Sequence, residues 1–144
     1  MKTIKLLTLL TLILGMHSQA FSQCKGFTKR NCLSDLSPYI SNGQLIAAKM
    51  VKGQEAEIEL NFQKNIDYRL IICAEDFLEG LSYRLIDEDD NVFTAKTLKG
   101  VSSTIDFEVS ENSELKLQIT IPEKESNTGI IRNRCVSILI GFRE

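Results

Sequence analysis

Glu55-Ala56-Glu57-Ile58-Glu59-Leu60-Asn61-Phe62 is the stretch that decides the fold. Apolar Ala56, Ile58, Leu60 and Phe62 alternate strictly with polar Glu55, Glu57, Glu59 and Asn61. Successive side chains of a strand point to opposite faces, so a period of two specifies a strand with one buried face and one solvated, acidic face. The period recurs outward from this stretch at Tyr68, Leu70 and Ile72, at Leu81, Tyr83 and Leu85, and at Ile105, Phe107 and Val109. It returns at Leu115, Leu117, Ile119 and Ile121, and last at Val136, Ile138, Ile140 and Phe142. Weaker strands fit residues 45–51 and 92–97. Turn signals separate these runs at Lys52-Gly53-Gln54, Lys64-Asn65, Glu79-Gly80, Asp89-Asp90-Asn91, Lys99-Gly100, Glu111-Asn112-Ser113 and Asn127-Thr128-Gly129. About eight short strands at this spacing predict an all-β, antiparallel β-sandwich over residues 44–144, jelly-roll-like in arrangement.

The chain ahead of the strands has a different character. Lys2 and Lys5 precede an apolar run from Leu6 to Met16, and Ala20-Phe21-Ser22 then places small residues at the −3 and −1 positions of a cleavage site. These are the three parts of a secretory signal peptide, residues 1–22, with the mature chain starting at Gln23. The run is too short for a spanning helix, which needs roughly 20 apolar residues, and no later run is long enough to stop transfer. The expected product is secreted or periplasmic. Cys24 raises lipid anchoring as an alternative, but Gln23 and Phe21 stand where a lipidation signal would have small and aliphatic residues.

Removing the leader changes the chemistry of what remains. Lys2 and Lys5 are lost while every Asp and Glu is kept, so the formal net charge moves from −2 to −4. That acidity excludes nucleic acid as an expected partner, because phosphate binding needs clustered Lys and Arg. The only histidine, His17, leaves with the leader. Ser-His-Asp and Cys-His catalysis, histidine zinc sites and histidine pH switches leave with it.

All four cysteines, Cys24, Cys32, Cys73 and Cys135, belong to the mature part, and an even number in an exported chain suggests two disulfides. The preferred pairing is Cys24–Cys32 with Cys73–Cys135. A second arrangement, in which Cys32 reaches Cys73 or Cys135, stays open. It draws on the outer faces of two strands, where Cys73 and Cys135 share their side with apolar Ile71 and Leu139. An apolar outer face wants a cover. Residues 23–43 are available for it, with Leu33, Leu36 and Ile40 spaced for one face of a short helix that Pro38 limits.

Three clusters carry candidate chemistry. The acidic turn Asp87-Glu88-Asp89-Asp90-Asn91 offers Asp87, Asp89, Asp90 and Asn91 as oxygen ligands for calcium. It lacks the glycine and distal glutamate of an EF-hand loop, and the competing reading is a polar hairpin turn with Asp and Asn in ordinary turn roles. Glu75 and Asp76, with Glu79 nearby, are a carboxylate pair of the kind glycoside hydrolysis uses, set against a solvated loop in a chain without tryptophan. Lys25, Lys29 and Arg30 offer a small basic patch, and Tyr39, Tyr68 and Tyr83 are candidates for a binding surface or for core positions with hydroxyls at the rim.

The closing run Cys135-Val136-Ser137-Ile138-Leu139-Ile140-Gly141-Phe142 resembles small secreted bacterial β-sandwich proteins of uncharacterised function. The segments Cys24 to Cys32 and Pro38 to Leu45 are similar to the N-terminal parts of those proteins. More loosely, the strand series looks like the pre-peptidase C-terminal type of sandwich, a non-catalytic module attached to secreted enzymes. The resemblance implies a fold and a compartment and assigns no functional residues. The leading expectation is a non-catalytic exported domain that binds a protein or glycan partner or serves a structural role, with no cofactor beyond the calcium reading. A carboxylate-dependent hydrolase and a secreted inhibitor or immunity-type protein are the alternatives.

Overall fold

The computed structural model describes residues 20–75, 78, 80–123 and 133–143. Most of the expected leader, together with Asp76, Glu79 and the turn at 127–129, lies outside the described residues. Among the described residues one helix, α1 (Ala20–Asn31), and a 3-10 turn (Leu33–Leu36) precede eight strands. These are β1 (Ile40–Met50), β2 (Glu55–Phe62), β3 (Asp67–Ala74), β4 (Ser82–Ile86), β5 (Val92–Thr97), β6 (Ser102–Glu108), β7 (Ser113–Thr120) and β8 (Arg134–Arg143). β1 thus begins at Ile40, inside the stretch expected to be cover, and its register breaks between Ser41 and Leu45.

Two four-stranded antiparallel sheets form, in the orders β1-β8-β3-β6 and β2-β7-β4-β5. This is the strand order of a jelly roll. The inner faces are the apolar sets that the alternation marked. Leu70 stands opposite Ile105 and Ile140, and Leu117 stands opposite Ile58 and Leu85. Leu70, Ile72, Leu81, Leu85 and Leu117 are fully buried. The hydroxyls of the two core tyrosines do reach the rim: Tyr68 accepts from the Gln63 backbone N–H at 3.0 Å, and Tyr83 bonds Ser103 Oγ at 2.6 Å. Asn65 and Asp90 adopt positive φ at two of the predicted turns, as their short polar side chains permit.

A second, smaller core lies on the outside of the first sheet. Ile71, Cys73 and Leu139 are buried there beneath Cys32 and Leu36, with Phe27, Leu45 and Val101 packed around them. The cover is therefore present, but its helix is α1 rather than the Leu33–Ile40 stretch. Of the three residues expected on its buried face only Leu36 is buried, while Leu33 and Ile40 are 43% and 66% exposed. β3 and β8 are buried on both faces, which makes them the structural centre of the molecule.

Candidate functional site

The cover is seated by a match of two periodicities. One face of an α-helix repeats every four residues, about 6 Å, and one face of a strand repeats every two, about 6.7 Å. Cys24 and Thr28 of α1, and Cys32 directly after its last residue, accordingly step along Cys135, Ser137 and Leu139 of β8, and Leu36 continues the series onto Gly141. Thr28 donates its hydroxyl to the Cys24 carbonyl at 2.7 Å, so the 2.6 Å bond between Thr28 Oγ1 and Ser137 Oγ takes its proton from Ser137. Both hydroxyls are buried.

The disulfides are Cys24–Cys135 and Cys32–Cys73, with Cα separations of 5.3 and 6.3 Å. They replace the preferred pairing of Cys24 with Cys32 and Cys73 with Cys135, and geometry gives the reason. Eight residues of helix separate Cys24 from Cys32 by about 12 Å, far beyond disulfide reach. Cys73 stands opposite Ser137 on β8, so Cys135 is its diagonal neighbour, at about 7–8 Å. Each cysteine of the sheet instead bonds the cover above it. The Cys24 sulfur is engaged with Cys135 and has no thiol to carry a lipid.

The far end of the cover is held by Arg69, which projects from the outer face of β3. Its Nε and Nη2 donate to the two Asp106 oxygens at 2.7 and 2.6 Å. Its Nη1 donates to the carbonyls of Asp35 and Ser37 at 3.0 and 2.7 Å. The bidentate arginine holds the Asp106 carboxyl below its ordinary range. The Tyr39 ring lies 4.4 Å from the Arg69 guanidinium and 5.1 Å from that of Arg143, which pairs with Asp67 at 2.7 Å. Ser102 Oγ donates to Asp35 at 2.6 Å. Beside this cluster a shallow groove of about 320 Å³ runs along Leu33, Ser34, Leu36, Ser37, Pro38, Tyr39 and Ser41. The one sequence signal for Arg69 was a lone arginine beside apolar Ile71 on the outer face of β3.

The other candidate residues are woven into the fold. Glu75 Oε2 accepts the Cys135 N–H at 2.8 Å, and the Glu75 N–H donates to the Cys135 carbonyl at 3.1 Å. Its carboxylate thus braces the start of β8. In the acidic turn, Asp87 Oδ1 accepts from the N–H groups of Asp89 and Asn91 at 2.9 and 2.8 Å, and Oδ2 accepts from Asn91 Nδ2 at 2.9 Å. The Asn91 amide is the main cause that lowers the Asp87 carboxyl below its usual range. Among the described residues no three His, Cys, Asp or Glu side chains converge as a metal site would require, and no helix is long and apolar enough to cross a membrane.

A further groove of about 330 Å³ opens where the edge strands β1 and β2 flank the mouth of the sandwich. It is lined by Gln44, Leu45 and Ile46 from β1 and by Glu59, Leu60 and Asn61 from β2.

No protein-family model matches the sequence, and no curated protein does. Among solved structures, the chain is similar to a periplasmic inhibitor of g-type lysozyme from Aeromonas hydrophila, with a TM-score of 0.49 and 5% identity over 74% of this chain and 89% of that one. It is also similar to a pre-peptidase C-terminal domain of a collagenase from Bacillus anthracis, with a TM-score of 0.46 and 11% identity over 70% of this chain and 89% of that one. A de novo designed double-stranded β-helix matches at a TM-score of 0.37 and 14% identity over 69% of this chain and 99% of its own. A pre-peptidase C-terminal domain is thus among the similar structures, while no family model or curated protein supports the group of small secreted sandwich proteins.

Proposed function

We propose that this is an exported, non-catalytic domain that acts by binding a partner outside the cytoplasm. The observation that carries the reading is the fate of Glu75, the described member of the catalytic candidate pair. Its carboxylate is a brace for the Cys135 backbone at 2.8 Å rather than a group aimed at a substrate. The remainder of the fold is a rigid frame, with the cover covalently fixed to both central strands. Such a frame presents surfaces at low ordering cost, which favours binding. Export is supported by the leader pattern of residues 1–22 and by two disulfides, which persist in oxidising compartments.

The test uses protein secreted from its native leader. Its mass is expected to correspond to a chain that starts at Gln23 with no free thiol. A panel of glycan and peptide substrates is expected to show no turnover. Turnover that disappears in Glu75→Gln or Asp76→Asn would overturn the non-catalytic reading.

A further inference from the structure

We propose that the free edge of β2 docks an extended, basic segment of a partner protein, which adds to the sheet beyond β2 as a fifth strand. The proposal rests on the binding reading above and names its surface and the chemistry of its partner.

β2 is the longest regular edge of the molecule. Among the described residues it pairs only with β7, in unbroken register from Glu55–Thr120 to Phe62–Ser113. Among the described residues no strand pairs with its other side, whose backbone N–H and C=O groups are a template for another strand. The three remaining edges are interrupted or shorter. The register of β1 slips between Ser41 and Leu45. That of β5 slips beside Ile86, and its exposed Lys96 stands opposite Tyr83, a charge on the core side of the edge that disfavours pairing. β6 is shorter than β2, and its outward side chains are already engaged, Ser102 by Asp35 and Asp106 by Arg69.

Both faces of β2 describe the missing neighbour. On the core face Ala56 and Ile58 are only half-buried, although Ile119 and Leu117 opposite them are fully buried. An added strand with apolar residues on that side would complete their burial and extend over the groove floor of Leu45, Ile46 and Leu60. On the outer face Glu55, Glu57 and Glu59 are exposed in a row, with Glu57 accepting from Gln118 Nε2 at 2.8 Å and Glu59 opposite Lys116 on the β7 side. Residues directly opposite in a sheet point to the same side, so opposite charges attract there and like charges repel. A second copy pairing edge to edge through a two-fold axis would set glutamates against glutamates. The row therefore refuses self-association and selects a strand whose outward residues are Lys or Arg.

The probes are two synthetic heptapeptides, Lys-Val-Lys-Val-Lys-Val-Lys and its counterpart with Glu in place of Lys. Each is titrated against the oxidised protein by fluorescence anisotropy, with amide exchange followed by NMR. The basic peptide is expected to bind at least tenfold tighter than the acidic one, more weakly at high salt, and to protect amides of β2. In Glu55→Lys/Glu57→Lys its affinity is expected to fall at least tenfold and the preference to reverse. Glu55→Gln/Glu57→Gln is expected to be intermediate, and the melting temperature of each variant verifies its fold. No binding of the basic peptide at millimolar concentration, equal binding to the Lys variant, or protection confined to other elements overturns the β2 site. Protection centred on Tyr39 would overturn it while leaving a binding function intact, whereas enzymatic turnover would remove the underlying reading.

Discussion

Gly141 shows how closely the cover approaches the sheet. A Cβ built there would stand 2.8 Å from Leu36 Cδ2 and 2.9 Å from Tyr39 Cβ, and both residues are held in place, by burial and by the Arg69 cluster respectively. Gly141→Ala is therefore expected to cost about 1–3 kcal/mol in urea unfolding, the usual range for overpacking; a change below about 0.5 kcal/mol would mean that the cover yields freely. Asp106 offers a second check. Its folded-state carboxyl titrates below the ordinary range because Arg69 donates to it twice. A depressed folded value means that the pair's contribution is fully present above the unfolded value of about 3.9 and is lost as pH falls through the folded value. NMR titration is expected to place the Asp106 midpoint below that of a free aspartate, and Arg69→Met is expected to return it upward. An unchanged midpoint in the variant would assign the shift to another cause. Tyr39 was visible in the sequence as a surface aromatic, but its stacking against Arg69 and Arg143 depends on residues 30 and 104 positions away, which no local pattern carries.

At the scale of elements, the strands were legible because each has a core face and an outer face, so a single period reports them. The helix was not. The residues turned toward the sheet are Cys24 and Thr28 of α1 and Cys32 just after it, a stripe with the right four-residue spacing and almost no hydrophobic signal. Its buried contacts are disulfides and a hydroxyl pair, which a search for periodic Leu and Ile overlooks. The disulfide preference failed for the related reason that pairing depends on helical rise and strand register, neither of which cysteine spacing reveals. The acidic turn is an element that its own hydrogen bonds explain. Asp87 accepts three bonds inside the hairpin, and Asp90 adopts positive φ at its corner. The melting temperature is accordingly expected to be the same in millimolar calcium and in excess chelator, since a ligand bound only to the folded state would raise it. A calcium-dependent rise abolished by Asp89→Asn/Asp90→Asn would assign the turn as a metal site.

At the scale of the whole molecule, the period of two told which face each residue occupies but not which strands are neighbours. The pairing of β1 with β8, nearly a hundred residues apart, is a property of the closed jelly roll. That closure creates two cores that share β3 and β8, the main one between the sheets and the small one beneath the cover. Both disulfides run from the cover to those two strands, across separations of 111 and 41 residues. In the loop-closure model each such link stabilises by about 4–5 kcal/mol, mainly through the unfolded chain. With both links intact α1 cannot depart without disturbing the centre of the first sheet, so its amides are expected to exchange at free energies near those of β3 and β8. Reduction by a dithiol leaves the cover attached through Leu36, the Thr28–Ser137 pair and the Arg69 bonds, while the main core keeps all its inward residues. Under those conditions the α1 amides are expected to open locally, well below the global free energy, while β3 and β8 remain the slowest to exchange. If α1 and β8 exchanged together in the reduced protein, the cover would be an integral part of the sandwich rather than a separately anchored layer.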